Sequence, residues 1–407
     1  MQEQALRTRD DIELYPLRHG GKQMVMVRDP LGLIKEPIVL NEVAASILTL
    51  LDGTHSMSDL QLHLTRSQGG VLVTTDQVGQ ILEQLSLAFL LQDERYEKAR
   101  AEIIASYAAL SVRKAFHAGI SYPEDPQALA KMLDGILEAG QSKTEIVQGD
   151  IVAVVAPHIE LKTAANCYGS AYRQIRGTEV DLIVILGTGH SVRSAKFCLT
   201  TKDFQTPLGT LTTDKDIVQE LRSAAGDCLL DNDLPHRHEH SIDFQTIFLQ
   251  RVLATENVRI VPILCGSFRT QLDGHSRASE IPCIGDFLGR LRSIIREHRG
   301  RCLVVAGVDF SHVGYKFGDR YSGRSLAQEA EPHDRTLIDN LVAWNAEGFW
   351  SETREKEDAY KVCGFAPLAS MLEIIPAARG HLLCYEIWHE DATQSAVSFA
   401  SLVFTKS

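Results

Sequence analysis

From residue 150 onward the hydrophobic pattern alternates between two periods. Runs near 151–156, 182–186, 259–264 and 302–307 are almost wholly aliphatic or β-branched, as expected of strands buried on both faces. Between them, 163–175, 214–224, 242–254 and 284–298 carry apolar residues at helical spacing. Strands that alternate with helices in this way predict βαβ units, an α/β fold with a mostly parallel central sheet flanked by helices. Leu382–Trp388 and Ala396–Phe404 read as two late strands, paired antiparallel.

The first 95 residues have another texture. Met24–Val27 is a short strand candidate. Val43, Ile47, Leu48 and Leu51 mark a helix that Asp52-Gly53 ends, because glycine accepts the left-handed cap conformation. Leu60–Leu64 and Thr75–Leu85 give two more helices, with Gly69-Gly70 between them, and Phe89-Leu90-Leu91 reads as a closing strand. Helices followed by a strand predict a small winged-helix-like α+β domain over 1–95. A connector over 96–149 follows, with helices at Tyr96–His117 and Gln127–Ala139, and the α/β domain occupies 150–407.

Charge and composition narrow the partners. The 407 residues carry a formal charge of -12, the wrong sign for a phosphate backbone, so nucleic acid is not expected. No apolar run reaches the roughly 18 residues of a membrane span, and the N-terminus lacks the basic-then-apolar order of a signal peptide. None of the eight cysteines forms a CxxC. A chain this long does not need a disulfide scaffold, so reduced, mostly core cysteines in a cytoplasmic protein are the expectation.

The chemistry gathers at the strand ends. Three apolar runs stop shortly before a histidine: Ala156-Pro157-His158, Gly187-Thr188-Gly189-His190, and Asp309-Phe310-Ser311-His312. Ligands of open α/β sheets bind beyond the carboxyl ends of the strands, so these imidazoles can share one crevice. The segment His236-Arg237-His238-Glu239-His240-Ser241 adds more. His236 and His238 read as a surface loop. His240 lies at a helix start with Glu239 at its positive end and Ser241 as a cap. Asp309, three residues before His312, is placed to orient that ring, and Cys363 precedes a glycine and a helix, a position that favours thiolate.

Pro157-His158, Gly189-His190-Ser191, Glu239-His240-Ser241, Asp309-Phe310-Ser311-His312 and Val362-Cys363-Gly364, in this order, resemble the Memo family, whose bacterial and archaeal members are called AmmeMemoRadiSam system protein B. Thr206-Pro207-Leu208-Gly209 followed by Asp214 resembles that family's hairpin and helix entry. The resemblance covers roughly 150–407 and implies a fold similar to the LigB-type class III extradiol dioxygenases, which use non-haem iron. It implies His158, His190 and Cys363 as metal ligands, with His240, Asp309 and His312 as catalytic neighbours. A thiolate in place of the dioxygenases' carboxylate admits Fe(II), Cu(I) or Zn. The sequence has Ile159-Glu160-Leu161 where the family usually has Ala-Gly-Tyr, and Glu160 becomes a further candidate to bind metal or steer substrate.

Residues 10–95 resemble the PqqD-like domains, winged-helix modules that bind a leader peptide for a modifying enzyme. An accessory domain that packs on the catalytic part or drives dimerisation is the alternative. Together these resemblances imply a metal-dependent, oxygen-using enzyme acting on a small molecule or a peptide, with a precursor peptide or radical-SAM partner system. A metal-binding scaffold without turnover and a zinc-dependent hydrolase remain open alternatives.

Overall fold

A strand with no polar residue on either side needs cover on both faces, and the aliphatic runs find it. The structure is a computed structural model that describes residues 6–19, 22–141, 145–255 and 257–406. The chain divides into two units, Met1–Ala109 and Leu110–Ser407.

The first unit opens with an antiparallel sheet, β1 (Glu13–His19), β2 (Lys22–Arg28) and β3 (Ile38–Asn41), in that order. Four helices follow: α1 (Glu42–Leu50), α2 (Met57–Ser67), α3 (Thr75–Leu87) and α4 (Glu94–Ala108). Asn41 and Asp93 cap α1 and α4, while Ser56 with Asp59 and Thr74 with Gln77 form reciprocal capping boxes on α2 and α3. Ile47, Leu48, Leu60, Leu64, Val78 and Leu82 make the core. The expected closing strand at Phe89–Leu91 is absent among the described residues. Phe89 takes a left-handed turn, φ 54°, and Leu91 makes a single bridge to Thr8. Leu90 and Leu91 are buried in the core of this unit, so their apolar character is satisfied without a ladder.

The expected helix Tyr96–His117 also ends early, at Ala108, and its last residues lead into a two-residue strand, β4 (Val112–Arg113). The second unit continues with α5 (Pro126–Gln141), β5 (Ile151–Ala156), α6 (Ala165–Tyr172), β6 (Leu182–Thr188) and β7 (Phe197–Leu199). Next come the hairpin β8 (Asp203–Thr206) and β9 (Gly209–Thr213), then α7 (Lys215–Ala225), α8 (His240–Val252), β10 (Arg259–Cys265) and α9 (Pro282–Glu297). The chain closes with β11 (Cys302–Gly307), β12 (His312–Gly314), α10 (Gly323–Val342), α11 (Ala346–Glu355), α12 (Phe365–Ile374), β13 (Ala378–Glu390) and β14 (Ser395–Lys406).

Among the described residues these strands form one large sheet with the path β12-β14-β5-β11-β6-β10-β9-β8-β4. Its centre, β5-β11-β6-β10, is parallel, and β14 joins β5 antiparallel after turning back from β13. Successive residues of one strand feed opposite cores. Val155, Leu182, Val184 and Val304 face α7, α9 and α12, whereas Val154, Ile183, Ile185 and Val305 face α5, α6 and α8. The α/β layering expected from the sequence is therefore present. No described helix is long and apolar enough to cross a membrane.

One cysteine expectation is corrected. Cys228 and Cys283 are joined in a disulfide across 55 residues, with Cα atoms 5.7 Å apart. The turn after α7 and the first turn of α9 pack side by side and bring them together, a proximity that no sequence spacing announces. The other six cysteines are free.

Candidate metal centre

The site begins where β5 and β6 end. Pro157 stops β5, and His158 follows with its backbone N–H donating to Asp309 Oδ1 at 3.0 Å. The ring Nδ1 lies 3.0 Å from the Gly307 carbonyl. A carbonyl can only accept, so Nδ1 carries a proton and donates it, which leaves Nε2 turned to the crevice. Nε2 is 3.4 Å from Cys363 Sγ and 3.5 Å from Asp309 Oδ2. His158 is buried, 2 % exposed. After β6, the Gly189 turn delivers His190, whose backbone N–H and ring Nδ1 both meet the Glu239 carboxylate at 3.0 Å. Its side chain remains 40 % open to solvent.

Helix α8 supplies the third imidazole. Glu239 is its N-cap, and Oε1 accepts from the His240 and Ser241 backbone N–H groups at 3.0 Å. Ser241, expected as the cap, instead donates its hydroxyl to the Thr188 carbonyl at 2.9 Å, and so ties α8 to the end of β6. Close approach fixes the helix: a Cβ on Gly307 would lie 2.2 Å from the Ser241 carbonyl oxygen. The His240 ring stacks on His190 with centroids 4.9 Å apart and meets His158 edge-on at 5.1 Å. Ring nitrogens of His158, His190 and His240 all lie within 4.8 Å of one another.

Cys363 enters from the start of α12. Gly364 donates its N–H to the Asp309 carbonyl at 3.0 Å, and a Cβ there would stand 2.6 Å from that oxygen. This contact docks the Cys363 thiol 3.5 Å from the same carbonyl and 3.4 Å from His158.

These contacts set the charges. Burial works to raise the Glu239 carboxyl, but His190, His240 and the Ser241 N–H hold it well below the usual carboxylate range. Burial works against a charged His190, yet Glu239 and the Cys363 thiol outweigh it and hold His190 well above the ordinary histidine value. His240 goes the other way, kept neutral by burial and by the neighbouring His190, His158 and His117 rings against the pull of Glu239. The Cys363 thiol is lowered although burial opposes it, because His158 and His190 favour the thiolate. Burial pushes Asp309 up to about 6, tempered by His312 and the His158 and Ile159 N–H groups. His312 is lowered, by burial foremost.

The structure thus gathers His158, His190, His240, Asp309 and Cys363, and places His312 electrostatically close to Asp309 and His190. Asp309 accepts its hydrogen bonds from the His158 and Ile159 backbone N–H groups; His312 Nδ1 is instead 2.9 Å from the Phe310 carbonyl. His236, read as a surface residue, is buried with Nε2 3.0 Å from the Cys198 carbonyl. His238 stacks on Phe116 at 3.9 Å. Glu160 is exposed and accepts from the Thr163 hydroxyl at 3.2 Å, outside the histidine cluster. Sequence reasoning missed the bond from Glu239 to His190 and the wholly buried pair Arg113 with Asp243 beneath α8, 2.7 Å apart. A buried basic residue in a short strand leaves no periodic trace.

Beside His190 and Cys363 opens a cavity of about 450 Å³, with Phe268 on its wall and Arg193, Arg269 and Lys361 among its lining residues. Volumes of roughly 300–1,000 Å³ are usual for small-molecule sites.

Comparison with known proteins points to one family. The family model described as Memo-like protein matches residues 113–403. A MEMO1 family protein of Aquifex aeolicus is 29% identical over 97% of this chain and 99% of its own length. A MEMO1 family protein of Thermus thermophilus is 26% identical over 82% of this chain and 94% of its own. The Protein memo-1 homolog of Caenorhabditis elegans is 26% identical over 64% of this chain and 70% of its own. The Aquifex match therefore extends into the first unit.

Proposed function

The chain belongs to the Memo family, and from that premise we propose that it is a non-haem metal enzyme, holding iron through His158, His190 and Cys363 and using oxygen on a small-molecule or peptide substrate. One observation carries the reading: imidazoles from two strand ends and a helix start converge within 4.8 Å, with a thiol 3.4 Å from His158. Imidazoles beside a thiolate suit iron, copper(I) or zinc, and the partly open His190 ring leaves an approach for the ion. A ferrous ion bound there supplies one-electron redox chemistry and open positions for small ligands.

The chain's own residues do the rest. The Gly307 carbonyl and the Glu239 carboxylate each accept a hydrogen bond from an Nδ1–H and so aim the Nε2 atoms of His158 and His190 at the ion. His240, held neutral against His190 and His158, is the group that accepts a proton from substrate. Asp309, pushed up to about 6, can hold a proton within 3.5 Å of His158. The 450 Å³ cavity receives the substrate, and the first unit, an antiparallel sheet with edge strands β1 and β3, is suited to hold an extended peptide by strand addition.

Metal analysis of anaerobically purified protein, with oxygen uptake in the presence of candidate peptides, tests this reading. Iron near one equivalent is expected in the unaltered chain, lost in His190→Ala and Cys363→Ala and retained in His240→Ala, which stops oxygen uptake alone. Loss of iron from His240→Ala as complete as from Cys363→Ala would make His240 a ligand instead. Iron bound without oxygen uptake under any substrate would leave a metal-holding protein, not an enzyme.

A further inference from the structure

Away from the strand ends, a second group of metal-binding side chains lies where α6 crosses β13. Cys167 sits in the first turn of α6, and Cys384 and Glu386 are two apart on β13, so both project from the same face of the strand. The two sulfur atoms and a Glu386 oxygen lie within 4.8 Å of one another. Cys167 is fully buried, whereas Cys384 and Glu386 are half-buried, which leaves an entry from the β13 side. Asn166 donates to one Glu386 oxygen at 3.0 Å and steadies the carboxylate.

We propose that Cys167, Cys384 and Glu386 form a second metal site, selective for a borderline-soft divalent cation of the zinc class. Thiolate and carboxylate are both zinc ligands, and tetrahedral coordination puts the ligand atoms roughly 3.5–3.8 Å apart, with solvent taking the fourth position. The 4.8 Å bound on the observed donor separations accommodates that spacing. Ser401 gives independent support. It is the cross-strand neighbour of Cys384 on β14 and is wholly buried. Apart from the Cys167 thiol that it faces, its hydroxyl has no hydrogen-bond partner among the described residues. That thiol contact places a buried hydroxyl at the cluster, where it can donate to a thiolate. Thiols bind metal as thiolates, so uptake displaces their protons to solvent and strengthens with rising pH.

Cobalt(II) is the probe, because thiolate ligands give it an intense charge-transfer absorption. In the full chain carrying His190→Ala and Cys363→Ser, under a phosphine reductant, one equivalent of cobalt is expected with that absorption. Adding Cys384→Ser removes most of it, and Glu386→Gln weakens binding by about 10–100-fold with an unchanged circular dichroism spectrum. On the unaltered chain the same site reads as a second equivalent that Cys384→Ser alone removes, so the result does not depend on the doubly altered chain folding. Absence of the charge-transfer band, or a band indifferent to Cys384→Ser, overturns the proposal. So does thiol counting that finds Cys167 and Cys384 bonded to each other in place of metal uptake.

Discussion

Glu239 is the residue on which the site's electrostatics turn. Its two oxygens cap α8 and hold His190 Nδ1, so one side chain fixes a helix start, a ring orientation and a proton. Glu239→Gln is therefore expected to lower metal affinity about 10–100-fold at high pH. It should also shift the pH dependence. Because Glu239 holds His190 above the ordinary histidine value of about 6.5, metal must displace a proton in the unaltered protein, and affinity climbs as pH rises through the raised value. Without the carboxylate that climb moves to lower pH. Isothermal titration across pH 5–8.5 (on the order of the histidine range) reads both effects, and an unmoved midpoint would show that Glu239 does not hold the proton. The histidines and Cys363 were legible in the sequence because strand ends and glycine turns announce themselves. The partnership of Glu239 and His190 was not. A glutamate before a helix reads as a cap, and only the packing of α8 against β6 brings it to a turn 49 residues away.

Helix α8 owes its position to a strand of two residues. From β4, Arg113 donates to the His236 and Glu239 carbonyls at 3.0 and 3.1 Å and pairs with Asp243 at 2.7 Å, all buried. Tyr122 donates to the other Asp243 oxygen at 3.1 Å. Arg113→Ala would strand a buried carboxylate, which costs about 3–5 kcal/mol. Urea unfolding should show that loss, and Arg113→Ala with Asp243→Asn should recover part of it; a single substitution within 1 kcal/mol or so of the parent would mean that the pair contributes little. The long elements of this unit were legible because helical spacing recurs over several turns and the central strands are unbroken aliphatic runs. Strand β4 was read as the tail of a helix because two residues carry no period, and its role is set by partners more than 120 positions downstream.

At the scale of the molecule, the alternation of strands and helices predicted a sheet with two covered faces, and the two cores bear it out. Strand order was beyond the pattern: β14, the last strand, lies beside β5, the first long one of this unit, and hydrophobic spacing is silent about neighbours. The same holds for Cys228 and Cys283. Their bond closes a loop of 55 residues, and in the chain-entropy account such a loop contributes about 4 kcal/mol. Reductant or Cys228→Ser should lower the urea midpoint of the second unit accordingly, as followed by tryptophan fluorescence, since Trp344, Trp350 and Trp388 all lie in that unit. An unchanged midpoint would show that the thiols are not joined in solution.

The contact between His158 and Cys363 spans 205 residues of sequence. On a ribosome adding roughly 5–20 residues per second, the thiol emerges on the order of 10–40 s after the first imidazole. For that interval the nascent chain offers histidines without their sulfur, a donor set with different metal preferences from the finished one. For the metal site proposed above, the order of translation would separate early imidazole binding from final loading, and the choice of ion would fall to whatever is available once the segment carrying Cys363 has folded.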